Sequence, residues 1–456
     1  MQGPVVECST VAAVSPNAVA MPEWLEQKLL EEIRAAYAYG IKQAAQTKED
    51  GLKVLENGLR ERMLCVGGKL LQASLERGLG NGYEGGRIAC AGCGGWMRYV
   101  ADRSKVISTW FREIRVTRAY YHCRKCQAGR FPLDKALDVM GTSFSPTIRE
   151  AICLTNAEVS FEHGQELLER LTGIRVSMEE GRLIAGKLGR QLELQEQEEI
   201  EKVWQPKTPK PREVYEAPER LYVSPDGTHI PIRGQKEWRE VKVGTIFTTR
   251  IPLKGQEPVR EQTRYVAGLE NAETFYRRLY VEALKQGIDQ ASEVVVIGDG
   301  AEWIWNQAEL TLPNNRVEII DYYHATEKLW TLARAVWGED NKFAKQWAGR
   351  WSDKLYQGKV VQVIAAMRRI TTKSLAAREV LRTTIGYFKT NKQRMRYAEL
   401  RKKGYFIGSG VTESSCKHLV GMRLKQAGMH WEKQQAQAIL QLRLARLNGR
   451  WDYLWN

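Results

Sequence analysis

The sequence predicts a multidomain protein in which helical and cysteine-bearing modules precede an α/β domain with a helical insertion. Three observations point there. At 456 residues the chain has room for about three domains of ~150 residues each. Two Cys-x-x-Cys pairs, Cys90/Cys93 and Cys123/Cys126, stand with 29 residues between them. From residue 219 onward, strand-like and helix-like patterns alternate. A hydrophobic fraction of 43% and a charged fraction of 27% exclude a wholly disordered chain, a collagen and a coiled coil. No apolar run approaches the ~18 residues that span a bilayer, so no membrane association is expected. The first basic residue is Lys28, so residues 1–22 lack the charged start of a signal peptide and read as a flexible tail on a cytoplasmic protein.

Residues 23–86 form an N-terminal helical region. Trp24, Leu25, Leu29, Leu30, Ile33 and Tyr37 recur there at three- and four-residue spacing, and glycine-rich 78–86 ends it. Residues 87–132 read as a zinc ribbon. One tetrahedral Zn²⁺ needs four soft ligands, and two cysteine knuckles supply two thiolates each. The arginine-rich surroundings do not suit a thioredoxin-like redox pair, and His122 reads as a second-layer or solvent-facing group. Residues 145–201 give three helices, 146–159, 161–171 and one opening at Ser177, where Ser177 and Glu180 make a capping box. The short turn Thr172–Val176 makes the module helix-turn-helix-like; such a pair either reads DNA or merely packs. Pro206, Pro209, Pro211 and Pro218 mark residues 202–218 as a stiff linker.

Charge is unevenly spread. The net +15 includes 26 basic against 9 acidic residues from Ala325 to the end, and 10 against 2 from Arg87 to Pro132. Clustered Lys and Arg gain affinity by displacing counterions from phosphates, so a long polyanion is the expected partner.

Residues 219–456 carry strands at 221–232, 240–251 and 262–269, a helix at 272–286, a buried strand at 293–299, a helix at 301–310 and a buried strand at 317–321. Three adjacent strands followed by helix, strand, helix, strand is the order of a ribonuclease-H-like α/β domain. From about 325 to 405 no strand is legible. Trp330, Trp337, Trp347 and Trp351 line apolar helix faces there and read as core, not as a base-stacking platform. A final helical region runs from about Thr412 to the C-terminus, broken near Gly428.

Three acidic residues stand where chemistry could use them. Asp226 lies in the first strand region, Asp299 ends the apolar strand Glu-Val-Val-Val-Ile-Gly-Asp, and Glu413 opens a helix after the turn at Gly408–Gly410. Carboxylates at the ends of adjacent strands meet on one rim of a sheet, and a helix across that rim adds a third. Such a set can hold two divalent cations ~3.5–4 Å apart for phosphoryl transfer. Taken singly, Asp226-Gly227 and Asp299-Gly300 are ordinary turn dipeptides, and Glu413 could simply complement a helix dipole.

The blocks SPDGTHIPI, VIGDGAEWIW, IIDYYHATEKLW and GSGVTESSCKHLVGMRLKQAGMHW resemble the motifs of bacterial insertion-sequence DDE transposases of the ISKra type, relatives of the Mutator-like group. The resemblance runs from about Glu23 to the C-terminus. It implies a ribonuclease-H-like catalytic domain with Asp226, Asp299 and Glu413 as catalytic triad and ligands of two Mg²⁺ or Mn²⁺ ions. It also maps an Asp-x-x-His onto Asp321 and His324 as auxiliary residues. Asp321 competes with Asp299 for the second catalytic place, and Asp299 is preferred because its strand is more apolar and leads into a helix. By the same implication, activated water cuts the phosphodiester at a transposon end, and the freed 3′-hydroxyl attacks target DNA. Lys417, Arg423 and Lys425 are expected to hold the strand by its phosphates or to form a solvated helix face. The partners implied are double-stranded DNA, as terminal inverted repeats and target, and at least one further copy of the chain, in the nucleoid of a bacterial cytoplasm. Two other classes remain open: a non-catalytic DNA-binding regulator, and a ribonuclease-H-like nuclease that cuts without joining.

Overall fold

The computed structural model describes residues 21–46, 51–205, 209–211, 213–214, 216–234, 238–250, 258–408 and 410–455. Residues 1–20 of the tail expected at 1–22, Cys8 among them, linker residue Pro206, strand end Ile251 and turn residue Ser409 lie outside the described residues. The protein is a mixed α/β, multidomain chain with two sheets, and contacts divide it into two compact units. One comprises Met1–Glu150 with Thr172–Ile174, the other Ala151–Leu171 with Arg175–Asn456. Among the described residues no helix is long and apolar enough to cross a membrane.

The first unit opens with helices α1 (Glu23–Gln46) and α2 (Gly51–Leu79), which meet through Leu25, Leu29 and Val66. An antiparallel sheet follows in the order β1 (Arg87–Ala89), β2 (Trp96–Thr109), β3 (Arg112–Cys123) and β4 (Gly129–Arg130). Its long β2–β3 hairpin buries Ile107, Ile114 and Val116 on one side, as period-2 alternation requires. Helix α3 (Pro132–Ala136) supplies Leu133 to that cluster.

Helices α4 (Pro146–Glu158), α5 (Phe161–Thr172) and α6 (Met178–Val203) come next. The capping box at the start of α6 is formed: the Ser177 hydroxyl accepts from the Glu180 N–H, and the Glu180 carboxylate accepts from the Ser177 N–H.

The second sheet runs β7-β6-β5-β8-β9. Strands β5 (Arg220–Ile230), β6 (Arg239–Thr249) and β7 (Arg260–Gly268) form an antiparallel meander. Helix α7 (Ala272–Lys285) then leads to β8 (Glu293–Gly298), and α8 (Glu302–Thr311) leads to β9 (Val317–Ile320). Both strands are parallel to their neighbours, β8 to β5 and β9 to β8. Because β8 is covered on both faces it reads as an unbroken apolar run, Val294 to Ile297, instead of an alternating one. One core packs Val223, Val295 and Ile297 with Phe275, Leu279 and Ile304; Tyr222 stacks on Phe247 with ring centroids 4.6 Å apart. The other gathers Val241, Val243 and Ala267 with Ile439 and Leu440.

After β9 the chain is helical: α9 (Tyr322–Trp337), α10 (Lys342–Tyr356), α11 (Val360–Arg368), α12 (Leu375–Asn391) and α13 (Tyr397–Lys402). The four tryptophans are half-buried there, with Trp330, Trp337 and Trp347 against Ala333, Ala344 and Ala348. Short helix α14 (Gly410–Ser415), a π-helical turn (Cys416–Gly421), α15 (Met422–Leu424) and long α16 (Lys433–Leu447) complete the chain.

Helices α6 and α16 approach closely because Gly189 has no side chain. A Cβ there would stand 2.2 Å from the Ala438 carbonyl oxygen. Since the obstacle is backbone, Gly189→Ala must push the helices apart, and we expect a loss of about 1–3 kcal/mol. A thermal melt of the variant beside the parent checks this.

Candidate active site

Strand register brings three aspartates to one level of the second sheet. Val223 lies opposite Val296 in the β5–β8 pair, and Gly298 opposite Ile320 in the β8–β9 pair. Asp226 follows Val223 by three residues, Asp299 follows Val296 by three, and Asp321 directly follows Ile320. The Ser224 hydroxyl donates to the Ile297 carbonyl at 3.1 Å, fastening β5 to β8 beside this edge.

Helix α14 carries Glu413 to the same place. The Thr412 hydroxyl donates to the Ser224 carbonyl at 3.4 Å, and the Thr245 and Ser415 hydroxyls are 2.9 Å apart. Both anchors are buried while Glu413 between them is exposed, so the helix is pinned to β5 and β6 with its carboxylate free of packing. The π-helical turn that follows directly is a rare form that is frequent at functional sites.

Each aspartate is held differently. Asp226 is half-buried; its Oδ1 accepts from the Gly227 N–H at 2.6 Å, and its Oδ2 lies 3.3 Å from the Cys416 thiol. Burial raises its pKa, opposed by those donors. Asp299 accepts from the Ala301 N–H at 2.8 Å through Oδ1. Asp321 is fully buried and caps α9, its Oδ1 accepting from the N–H groups of Tyr323 at 2.6 Å and His324 at 3.1 Å. Its Oδ2 stands 3.7 Å from Nδ1 of His324, an ion pair too long for a hydrogen bond. That carboxylate raises the His324 pKa to about 9 against the cost of burial, with Asp226 and Asp299 adding to the pull.

Asp321, His324 and Glu413 have ligand atoms within 4.8 Å of one another and form a possible metal-binding group. Asp226, Asp299 and Glu413 alone do not form such a group among the described residues, although Asp226 and Asp299 are near enough to act electrostatically on each other and on His324. The Asp-x-x-His pair expected as auxiliary is thus drawn into the centre of the cluster. Cys416 was not singled out from the sequence. Its place three residues after Glu413, on the same helical face, was the available signal.

Of the three cations expected on DNA phosphate, Lys417 and Lys425 are exposed, and the Lys425 ammonium reaches the Thr228 hydroxyl. Arg423 requires correction, because it is fully buried. Its Nε donates to the Asn156 carbonyl at 2.8 Å, and its guanidinium lies 5.0 Å from the Phe161 ring centroid and 4.8 Å from that of Trp431. Arg443 donates to the next carbonyl, Ala157, at 2.6 Å, so two arginines close the C-terminal end of α4, whose last carbonyls have no helical partner. Burial, then the neighbouring Arg443, lower the Arg423 pKa to about 10, so it remains charged at neutral pH. Arg423→Ala is expected to cost on the order of 2 kcal/mol, the worth of a charge-assisted hydrogen bond. Melting should move while DNA affinity, measured below the melting point, stays unchanged.

In the first unit Cys90, Cys93, Cys123 and Cys126 form a possible four-thiolate metal site. The Cys90 and Cys126 sulfurs are 3.5 Å apart and those of Cys93 and Cys123 are 3.6 Å apart. Four ligands ~2.3 Å from one tetrahedral ion sit about 3.8 Å from each other, so the spacing fits. Each pair lies on a tight turn: Cys90 N–H to Gly95 carbonyl at 2.7 Å, Cys123 N–H to Ala128 carbonyl at 2.9 Å. Backbone N–H groups of Cys126 and Lys125 aimed at Cys123 lower its pKa to about 6, while hydrogen bonds shared with the other three sulfurs raise that of Cys126 to about 12.

No curated protein matches the chain. The model of an uncharacterised protein family, UPF0236, matches residues 52–452, which is most of the sequence, and the chain belongs to that family.

Proposed function

We propose that this protein is a DNA transposase that cuts phosphodiesters at the ends of a mobile element and joins the freed 3′-hydroxyl to target DNA. One observation carries the proposal. Asp226, Asp299 and Asp321 stand at one level of adjacent strands, and Glu413, on a helix pinned across that edge, has ligand atoms within 4.8 Å of those of Asp321 and His324. Three antiparallel strands followed by two parallel ones is also the order expected of a ribonuclease-H-like domain.

The donors are mostly carboxylate oxygens, which suit Mg²⁺ or Mn²⁺ better than softer ions. Two such ions, when bound, sharpen a water nucleophile and stabilise the leaving oxygen of a phosphodiester. In the proposed assignment Asp226, Asp299 and Glu413 would hold these ions. Asp321, buried and spent on capping α9, stands beside His324, whose imidazole would contact a DNA phosphate or orient a carboxylate. Lys417 and Lys425 hold the strand farther along. In the first unit, Zn²⁺ on the four cysteines makes the hairpin a zinc ribbon whose arginines meet the duplex backbone.

The test offers purified full-length protein its own element ends with Mg²⁺ or Mn²⁺. Nicks with 3′-hydroxyl ends and strand-transfer products are expected. Nicks without joined products would favour a nuclease, and binding without either would favour a regulator.

A further inference from the structure

Helix α12, far along the helical stretch, reaches the acidic cluster through one side chain. The Tyr387 hydroxyl donates to the backbone carbonyl of Asp299 at 2.8 Å. Its ring covers Gly300, where φ is +98° and a Cβ would stand 2.5 Å from a ring carbon. The Lys328 ammonium, one helical turn beyond His324 on α9, stands 5.1 Å from the centroid of the same ring. Asp299 is therefore held twice, at its carbonyl by Tyr387 and at Oδ1 by the Ala301 N–H. Among the described residues no hydrogen bond reaches its Oδ2.

We infer that Tyr387 is a positioning residue for Asp299, fixing the direction in which the free Oδ2 leaves the sheet edge and thereby setting which divalent ion the cluster prefers. The inference rests on Asp299 being a cation ligand, as proposed above. Mg²⁺ demands near-ideal octahedral geometry at ~2.0–2.1 Å, and Mn²⁺ tolerates a displaced ligand better. Loss of the clamp should therefore weaken Mg²⁺ more than Mn²⁺. Groups that orient a metal ligand typically govern affinity by roughly 10–100-fold.

Tyr387→Phe keeps the ring over Gly300 and deletes only the hydroxyl. In the full-length protein, bound Mn²⁺ is counted by electron paramagnetic resonance and displaced with Mg²⁺, in parallel with nicking of element-end DNA under each ion. All readings are taken below the melting point of the variant, so altered stability does not enter them. We expect the Mg²⁺ needed for half displacement to rise roughly tenfold. Nicking with Mg²⁺ should fall by a similar factor and nicking with Mn²⁺ by much less. Equal losses with both ions, or an unchanged displacement curve, would overturn the inference. If the parent shows no Mn²⁺ signal that Asp299→Ala removes, the ligand role of Asp299 fails first and the inference falls with it. If the parent does and Tyr387→Phe matches it, only the inference falls.

Discussion

Asp226→Ala, Asp299→Ala and Glu413→Ala are each expected to abolish nicking and strand transfer while leaving affinity for element-end DNA nearly intact. Orienting groups alone commonly cost 10–100-fold, so removing a ligand should cost roughly 100-fold or more. Gel analysis of cleaved and joined DNA, beside a binding assay on the same preparations, reads both effects. Asp321 is the informative comparison, because it is buried and joins His324 and Glu413 in the possible metal group. Asp321→Ala also removes the cap of α9, worth about 0.5–2 kcal/mol, so its melting point must be followed. Asp321→Asn keeps a capping oxygen and is the cleaner variant. An inactive Asp321→Asn together with an active Asp299→Ala would exchange the two roles.

The second large effect concerns the cysteines. Metal analysis is expected to find about one zinc per chain, and Cys90→Ser with Cys123→Ser should remove it and unfold the hairpin around it. The reason is the size of the local core. Beside the cysteines, the buried cluster holds only Ile88, Met97, Ala119 and Tyr121. Structural zinc contributes about 10–16 kcal/mol of apparent binding energy in small modules, against roughly 6–12 kcal/mol at most for burying four such side chains. Loss of protection in hydrogen exchange across the strand ends and turns that carry the cysteines, 87–99 and 119–130, with the second unit unaffected, is the expected signature. Protein without bound zinc would refute it.

Much of the α/β architecture was legible because its signals are local. The run Val294–Ile297 announces a strand buried on both faces, Ser177 with Glu180 announces the start of α6, and the strandless stretch from 325 to 405 consists of helices and the turns between them. The two Cys-x-x-Cys turns are equally local, each closing on its own backbone hydrogen bonds. Arg423 shows where such reading stops. In sequence it is one cation in a basic helical run, but in the fold it closes a helix end 267 positions away. Nothing within its own neighbourhood distinguishes a solvated arginine from one that satisfies distant carbonyls.

The acidic cluster divides in the same way. The sequence by itself determined which carboxylates end strands or open a helix, since apolar runs and turn residues depend on neighbours a few positions apart. Only the tertiary structure decided which of them meet. Strand register carried Asp321 and His324 beside Glu413, and α12 brought Tyr387 onto the backbone of Asp299 from 88 residues away. Those meetings depend on how helices and strands pack across the chain, and packing energy is spread over many side chains with no mark at either contacting residue.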